Sequence, residues 1–126
     1  MPEHVHLLLH PRKEDYDIGA IRKAIKQSVS QRAIGYLAKN KPDALKKLKV
    51  IRKDGTVTYR FWQNGGGYDR NLFSPKALRA SIDYIHNNPV RRGLVDSALA
   101  WKWSSLGSYS GMSESVLAVE VCESAL

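Results

Sequence analysis

Polar and apolar residues alternate at the start of the chain, in MPEHVHLLLH. In a β-strand successive side chains point to opposite faces, so His4 and His6 share one face while Val5, Leu7 and Leu9 share the other. The pattern therefore predicts a strand that carries two imidazoles on one side. Two such imidazoles can bind one metal ion, but a polar strand face that merely contains histidine explains this stretch, taken alone, at least as well.

The next segment has apolar residues at the spacing of an α-helix. It can begin at Asp15 to Asp17 and end near Asn40 to Pro42. Lys23, Lys26 and Arg32 occupy other arcs of the same helix. The spacing predicts one amphipathic helix with a cationic outer side. Its apolar positions are Ile18, Ile21, Ile25, Val29, Ala33 and Leu37.

A hairpin is the clearest local prediction. The stretch KVIRKDGTVTYRFW is typical of a strand, an Asp-Gly turn and a second strand, and DALKKLK before it can add a helical turn. QNGGGYDRNLF follows as a loop. Its three glycines would let the backbone turn tightly or approach a DNA strand, although a plain loop is the commoner explanation.

A second helix is predicted over SPKALRASIDYIHNNP. Ser74 can cap its start, Pro75 suits the first helical position, and Pro89 is expected to end it at or before Asn88. Two neighbouring stripes follow from helical spacing. The buried stripe is Leu78, Ile82 and Ile85, and the second stripe is Ala77, Ser81, Tyr84 and Asn88.

Composition limits the class of protein. The chain has 126 residues, of which 43% are hydrophobic and 25% charged, and this fits one compact domain. No apolar run is long enough to cross a membrane, and the start does not have the pattern of a signal peptide. The single cysteine, Cys122, excludes an intrachain disulfide, so a reducing cytoplasm is expected. No motif surrounds Cys122, which favours an inert thiol.

The charge is unevenly distributed. The net charge is +8, and Arg12 to Arg60 holds 14 basic against five acidic residues. By contrast, Ser113 to Leu126 contains three glutamates and no basic residue. A basic body with an acidic tail indicates a polyanionic partner, but a solvated surface explains the charge excess equally well.

These segments, taken in order, resemble the REP-associated tyrosine transposases, a branch of the HUH single-strand DNA endonucleases and insertion-sequence transposases. The matching stretches run from Met1 to about Ser105. They are MPEHVHLLL, IKQSVSQRAI, FWQNGGGYDRN, DYIHNNPVRRGLV and WKWSS. The resemblance implies an α+β fold with helices packed on a ferredoxin-like antiparallel sheet. It also implies a catalytic domain over residues 1–112, followed by a weakly ordered acidic tail over residues 113–126.

The same resemblance implies a catalytic centre. His4 and His6 would bind a divalent cation together with Asn88, and Tyr84 would be the nucleophile. Imidazoles and an amide oxygen suit Mg²⁺ or Mn²⁺, with the imidazoles favouring Mn²⁺. Helix geometry places Tyr84 and Asn88 about 6 Å apart, so both can reach one phosphate. A half-buried helix aromatic is the commoner fate of a tyrosine, and only the motif favours catalysis.

The implied partner is single-stranded or hairpin DNA. Exposed charge is the alternative explanation for the basic residues, and a core position is the alternative for the aromatic ones, above all for Trp62. His86 lies on a different helical arc from Tyr84 and is not expected to be a ligand. The predicted DNA contacts are Lys23, Lys26, Arg70, Arg91, Arg92 and Trp103.

The chain departs from the family at its start. Family members carry a strand, a helix and another strand before the histidine motif, and here Met1 coincides with the methionine inside that motif. We therefore expect an N-terminally incomplete sheet, with either a second copy covering its exposed edge in a homodimer or a weakened fold. Two functions stay open: a metal-dependent enzyme that nicks and rejoins DNA, and a non-catalytic remnant that binds DNA. The nucleotides upstream of Met1 would discriminate between them.

Overall fold

The computed structural model describes residues 1–112, 116 and 119. They form two compact units: residues 11–69 in one, and residues 1–10 with the described residues from 70 onward in the other. The predicted acidic tail over residues 113–126, with Cys122, lies outside the described residues apart from Val116 and Val119. The elements are α1 (Ile18–Asn40), α2 (Pro42–Lys46), β1 (Lys49–Ile51), β2 (Val57–Tyr59), α3 (Pro75–Arg91), a 3₁₀ turn (Ala98–Ala100) and α4 (Leu106–Tyr109).

Helix α1 begins and ends where the sequence predicts. The Asp17 carboxylate caps it by accepting hydrogen bonds from the backbone N–H groups of Gly19 and Ala20, at 2.7 and 3.1 Å. Its less exposed positions follow helical spacing, but none is fully buried. Lys26, predicted on the outer side, is half-buried: its Nζ donates to the Gly65 carbonyl at 3.2 Å and lies 5.8 Å from the Trp62 ring centroid.

The hairpin is confirmed. Strands β1 and β2 are antiparallel, with Val50 opposite Thr58. In the turn, the Gly55 N–H donates to the Arg52 carbonyl at 3.0 Å, and the Asp54 carboxylate accepts from the Thr56 N–H at 2.9 Å. Gly55 has φ +80°, a conformation that glycine adopts without strain.

Helix α3 begins as predicted but ends later. The Ser74 hydroxyl accepts from the Ala77 N–H at 3.2 Å, and Pro75 occupies the first turn. Pro89 lies inside the helix, so the predicted end at Asn88 is wrong. The helix ends instead at Arg91 with Arg92 as its cap. Gly93 follows with φ +64°, and the Leu94 N–H donates to the Pro89 carbonyl at 2.9 Å. In this Schellman motif the glycine sets the end, because a proline in the last turn removes only one hydrogen bond.

The strand predicted over the histidine pair is also wrong. Residues 1–10 belong to no helix or strand, and the sheet of the described residues consists of β1 and β2 alone. A strand needs a hydrogen-bonded neighbour, and no backbone hydrogen bond joins residues 1–10 to another described segment. Val5, Leu7 and Leu9 are exposed. A second copy covering this segment stays a prediction.

Helices and one antiparallel sheet together confirm the α+β class. Among the described residues, the buried positions all lie on the C-terminal half of α3: Ile82, His86, Asn88 and Pro89. The small core of this unit therefore surrounds the end of α3 that carries Asn88. Within the described part of the chain, no helix is both long and apolar enough to span a membrane.

Candidate metal and tyrosine site

The three predicted metal ligands lie side by side. The Nε2 atoms of His4 and His6 are 3.0 Å apart, and the side-chain amide of Asn88 lies 2.7 Å from Nε2 of His6. His4 and His6 come from the extended N-terminal segment, and Asn88 comes from α3, 82 residues further along the chain. Asn88 is only 5% exposed, so its side chain is almost entirely covered by its surroundings. The structure thus brings together residues that the sequence separates.

The spacing of the two imidazoles fits a small divalent cation. Two ligand atoms about 2.1 Å from a metal, at the right angle of an octahedron, lie about 3.0 Å apart. Two Nε2 lone pairs at this separation repel each other unless a proton or a cation lies between them. The Asn88 amide can rotate to present its oxygen to the same point, since its nitrogen and oxygen are exchangeable by a flip. The three side chains therefore form a candidate cation site.

The donor set is sparse. Within the described residues, no group of three or more His, Cys, Asp or Glu side chains is placed to hold a metal ion. A cation here would have two imidazoles and one amide from the protein. Structural zinc sites usually have four protein ligands, so this set resembles an open, catalytic type of site more than a structural one.

Tyr84 lies beside the histidines. It precedes Asn88 by one helical turn, and its ring packs edge to face on the His6 ring, with centroids 5.6 Å apart. The Arg91 guanidinium lies over the Tyr84 ring, 5.3 Å from the ring centroid. Tyr84 is 48% exposed, so a large substrate can reach it. The predicted nucleophile thus adjoins both a candidate ligand and a cation.

Electrostatics keep His6 neutral. Burial lowers the pKa of His6 below its usual range, and the nearby positive charges of His4 and of the chain's N-terminus lower it further. A histidine binds a metal through a neutral ring nitrogen. The surroundings of His6 therefore favour the protonation state that a ligand requires.

A carboxylate completes the group, and sequence reasoning missed it. Glu3 Oε1 accepts a hydrogen bond from Arg92 Nη2 at 2.7 Å and lies 3.4 Å from His4 Nδ1. The available signal was the position of Glu3 directly before the first histidine. The signal was weak because neither the orientation of His4 nor the nearness of Arg92 follows from sequence spacing.

The predicted DNA contacts fall into two groups. Arg91 and Arg92 adjoin the tyrosine and the histidine segment, as described above. Arg70 Nη2 lies 3.5 Å from the Ser81 hydroxyl on α3, and Trp103 is 57% exposed with Lys102 Nζ 5.0 Å from its ring centroid. Lys23 and Lys26 belong to the other unit, where Lys23 is exposed.

Trp62 has a structural role in that other unit. It is half-buried, and its indole N–H donates to the Lys26 carbonyl at 2.9 Å. Trp62 thus packs within its own unit, but it is only half-buried and is not one of the buried residues.

His86, which the sequence does not predict as a ligand, lies apart from the candidate site. It is buried, its Nε2 lies 2.9 Å from the Ser105 hydroxyl, and its ring packs on Tyr109. Burial lowers the pKa of His86, and the negative charge of Asp83 opposes this shift. His86 thus stabilises the packing of α3 against the WKWSS stretch and takes no part in the candidate site.

Comparison with known proteins gives one match of note. The chain is similar to a protein of Haemophilus influenzae named "Putative REP-associated tyrosine transposase", with 31% identity over 105 residues. The match covers 83% of this chain but 54% of the relative, so the chain spans about half the length of the curated relative it matches. No family model matches the chain, and no solved structure matches it. The similarity supports the family resemblance that the motifs indicate.

Proposed function

We propose that this chain is a transposase-type nuclease of the HUH class that cuts and rejoins single-stranded DNA through Tyr84. The observation that carries the proposal is the convergence of His4, His6 and Asn88 within 3.0 Å contacts directly beside an accessible tyrosine. The similarity to a relative named as a transposase supports the same function. A ferredoxin-like sheet is part of this proposal.

His4, His6 and Asn88 are the residues that would hold Mg²⁺ or Mn²⁺. When bound there, the cation would neutralise charge on a phosphate oxygen and so favour attack at phosphorus. Burial lowers the pKa of His6 and so favours the neutral ring that a ligand requires. The aromatic contact between His6 and Tyr84 keeps the nucleophile beside the bound phosphate.

Tyr84 supplies the attacking oxygen. Its phenolic proton leaves, the oxygen forms a bond to the phosphorus, and the bond from phosphorus to the 3′ oxygen breaks. The 3′ oxygen takes a proton and leaves as a hydroxyl, while the 5′ phosphate stays on Tyr84 as an ester. The Arg91 guanidinium, 5.3 Å from the ring, stabilises negative charge as it develops on the phenol and the phosphate.

The tyrosine ester makes rejoining possible. A 3′-hydroxyl attacks the phosphorus, the new phosphodiester forms, and Tyr84 leaves with a proton. One bond of the same kind is made for each one broken, so no nucleotide cofactor is required. The exposed Trp103 and the arginines near Tyr84 would hold the unpaired strand by stacking and by phosphate contacts.

A denaturing gel tests the proposal. The full chain is incubated with Mn²⁺ and oligonucleotides that carry hairpins from the DNA flanking its own gene, labelled at the 3′ end. We expect a labelled band that migrates with the protein, because the fragment with the 5′ phosphate stays attached. Tyr84→Phe should abolish this band and leave DNA binding nearly unchanged, since only the phenolic oxygen is lost.

The matched control is Tyr36→Phe. Tyr36 is exposed on α1, so the same atom is removed away from the site, and adduct formation should be unchanged. DNA binding without any adduct, across all hairpins and with both metals, would contradict the nuclease and support the alternative of a DNA-binding remnant. An adduct that survives in Tyr84→Phe would assign the nucleophile elsewhere.

A further inference from the structure

The histidine segment has little to hold it in place. Residues 1–10 form no regular structure, and within the described residues no backbone hydrogen bond ties them to another segment. Two polar side-chain contacts join the segment to α3 and its cap. One is the contact of His6 with Asn88, inside the candidate site. The other is the ion pair of Glu3 with Arg92, at 2.7 Å.

We propose that Glu3 is a positioning residue for the metal site, anchored by Arg92 and orienting His4. This inference rests on the proposed function, because it concerns the same cation site. It goes further by assigning a role to a carboxylate that is neither a ligand nor a nucleophile, and by giving Arg92 a different task from that of Arg91.

Arg92 extends from a well-defined helix end. Its backbone N–H donates to the Asn88 carbonyl at 3.0 Å, and Gly93 closes the Schellman motif directly after it. The guanidinium therefore extends from a fixed backbone that also carries Asn88. An arginine–carboxylate contact of this length is charge-assisted and directional. Glu3 is thus held by the same helix that supplies the third ligand.

The effect on His4 follows from which ring nitrogen Glu3 adjoins. The carboxylate oxygen lies 3.4 Å from Nδ1 and so favours the tautomer with its proton on Nδ1. That tautomer leaves the lone pair of His4 Nε2 facing Nε2 of His6, where a cation would bind. Carboxylates in this position orient histidine ligands in many metal sites, and their loss typically weakens metal binding by about 10–100-fold.

A purely stabilising role makes a different prediction. Both partners of the Glu3 and Arg92 pair are about half exposed, and such pairs contribute about 0–1 kcal/mol to stability. Removing the charge of Glu3 should therefore leave the melting temperature nearly unchanged. If Glu3 positions His4, the same change should nevertheless alter metal affinity and the tautomer of His4.

The experiment measures both properties in the full chain. Mn²⁺ alone is the probe, and its affinity is measured by electron paramagnetic resonance for the wild type, Glu3→Gln, Glu3→Asp and Arg92→Gln. Long-range ¹H–¹⁵N spectra of the metal-free proteins give the tautomer of His4. The matched control is Glu14→Gln, which removes an exposed carboxylate outside this unit.

We expect Glu3→Gln to weaken Mn²⁺ binding by about 10-fold or more and to shift His4 toward the Nε2–H tautomer. Glu3→Asp should restore part of the affinity, Arg92→Gln should give an intermediate loss, and Glu14→Gln should have no effect. Unchanged affinity in Glu3→Gln, where the wild type binds Mn²⁺, would overturn the inference.

Failure of the metal site itself is a distinct outcome. If the wild type binds Mn²⁺ no better than His6→Ala does, the proposed cation site is wrong. The His4 tautomer then decides the positioning role alone: a shift in Glu3→Gln supports it, and an unchanged tautomer overturns it.

Discussion

Two histidine sites in the same unit share one property and differ in another. Burial is the first cause that lowers the pKa of both His6 and His86. Nε2 of His86 meets a hydroxyl, which can donate or accept a proton and so satisfies the ring in either tautomer. Nε2 of His6 meets a second imidazole nitrogen and an amide instead.

The difference shows what separates a structural histidine from a candidate ligand. Burial alone does not, because it acts on both. What matters is which groups face the ring nitrogen. Nε2 of His86 meets the Ser105 hydroxyl and its ring packs on Tyr109, whereas Nε2 of His6 meets His4 Nε2 and the Asn88 amide, groups that can themselves bind a cation.

The largest expected effect is the loss of Mn²⁺ binding and of the covalent DNA adduct in His6→Ala. Removing one of two imidazole ligands should reduce Mn²⁺ binding and adduct formation below detection, a loss of at least about 100-fold. Excess chelator should reproduce this result in the wild type. Stability should change by less than about 1 kcal/mol, because the segment is partly exposed and has no backbone partner within the described residues. Calorimetric Mn²⁺ titration and the denaturing gel check the first part, and thermal unfolding checks the second.

The opposite pattern is expected for His86→Ala. It removes a buried side chain, leaves the Ser105 hydroxyl without this partner and should cost about 1–3 kcal/mol of stability. At a temperature where the variant is still folded, its Mn²⁺ affinity should stay within about threefold of the wild type. Urea unfolding and the same metal titration measure the two effects. A variant that keeps its stability but loses the metal would reverse the comparison between the two sites.

Local signals allowed the elements to be predicted. Asp17 and Ser74 cap the two long helices, and Asp54 with Gly55 forms the hairpin turn, so each signal lies within a few residues of what it determines. The end of α3 was mispredicted because Pro89 and Gly93 compete, and the cost of a proline depends on how much helix follows it.

The candidate site could not be derived in the same way. The contact between His6 and Asn88 joins residues 82 positions apart, and only the resemblance to a known family suggested it. The predicted strand failed because strand formation depends on a partner that sequence alternation cannot supply. Glu3 was missed for a related reason. Its partner, Arg92, is placed by packing and not by spacing.

The smallest expected effect, and the last test of the comparison, is a dependence of stability on pH. Native His86 takes up a proton less readily than His86 in the unfolded chain, because burial lowers its pKa and Asp83 only partly offsets this. The unfolded state therefore binds more protons once the pH falls below about 6.5, and the free energy of unfolding should decrease from there as the pH is lowered. His6 contributes in the same direction, so the decrease should persist in part when either histidine is replaced.

Urea unfolding in chelator-containing buffer between pH 8 and pH 5 should show a weaker decrease for His86→Gln than for the wild type. His10→Gln, at an exposed position of the N-terminal segment, is the control and should match the wild type. An identical pH dependence in His86→Gln and the wild type would show that the buried histidine carries no proton-linked stability, and the contrast with His6 would then rest on the ring contacts alone.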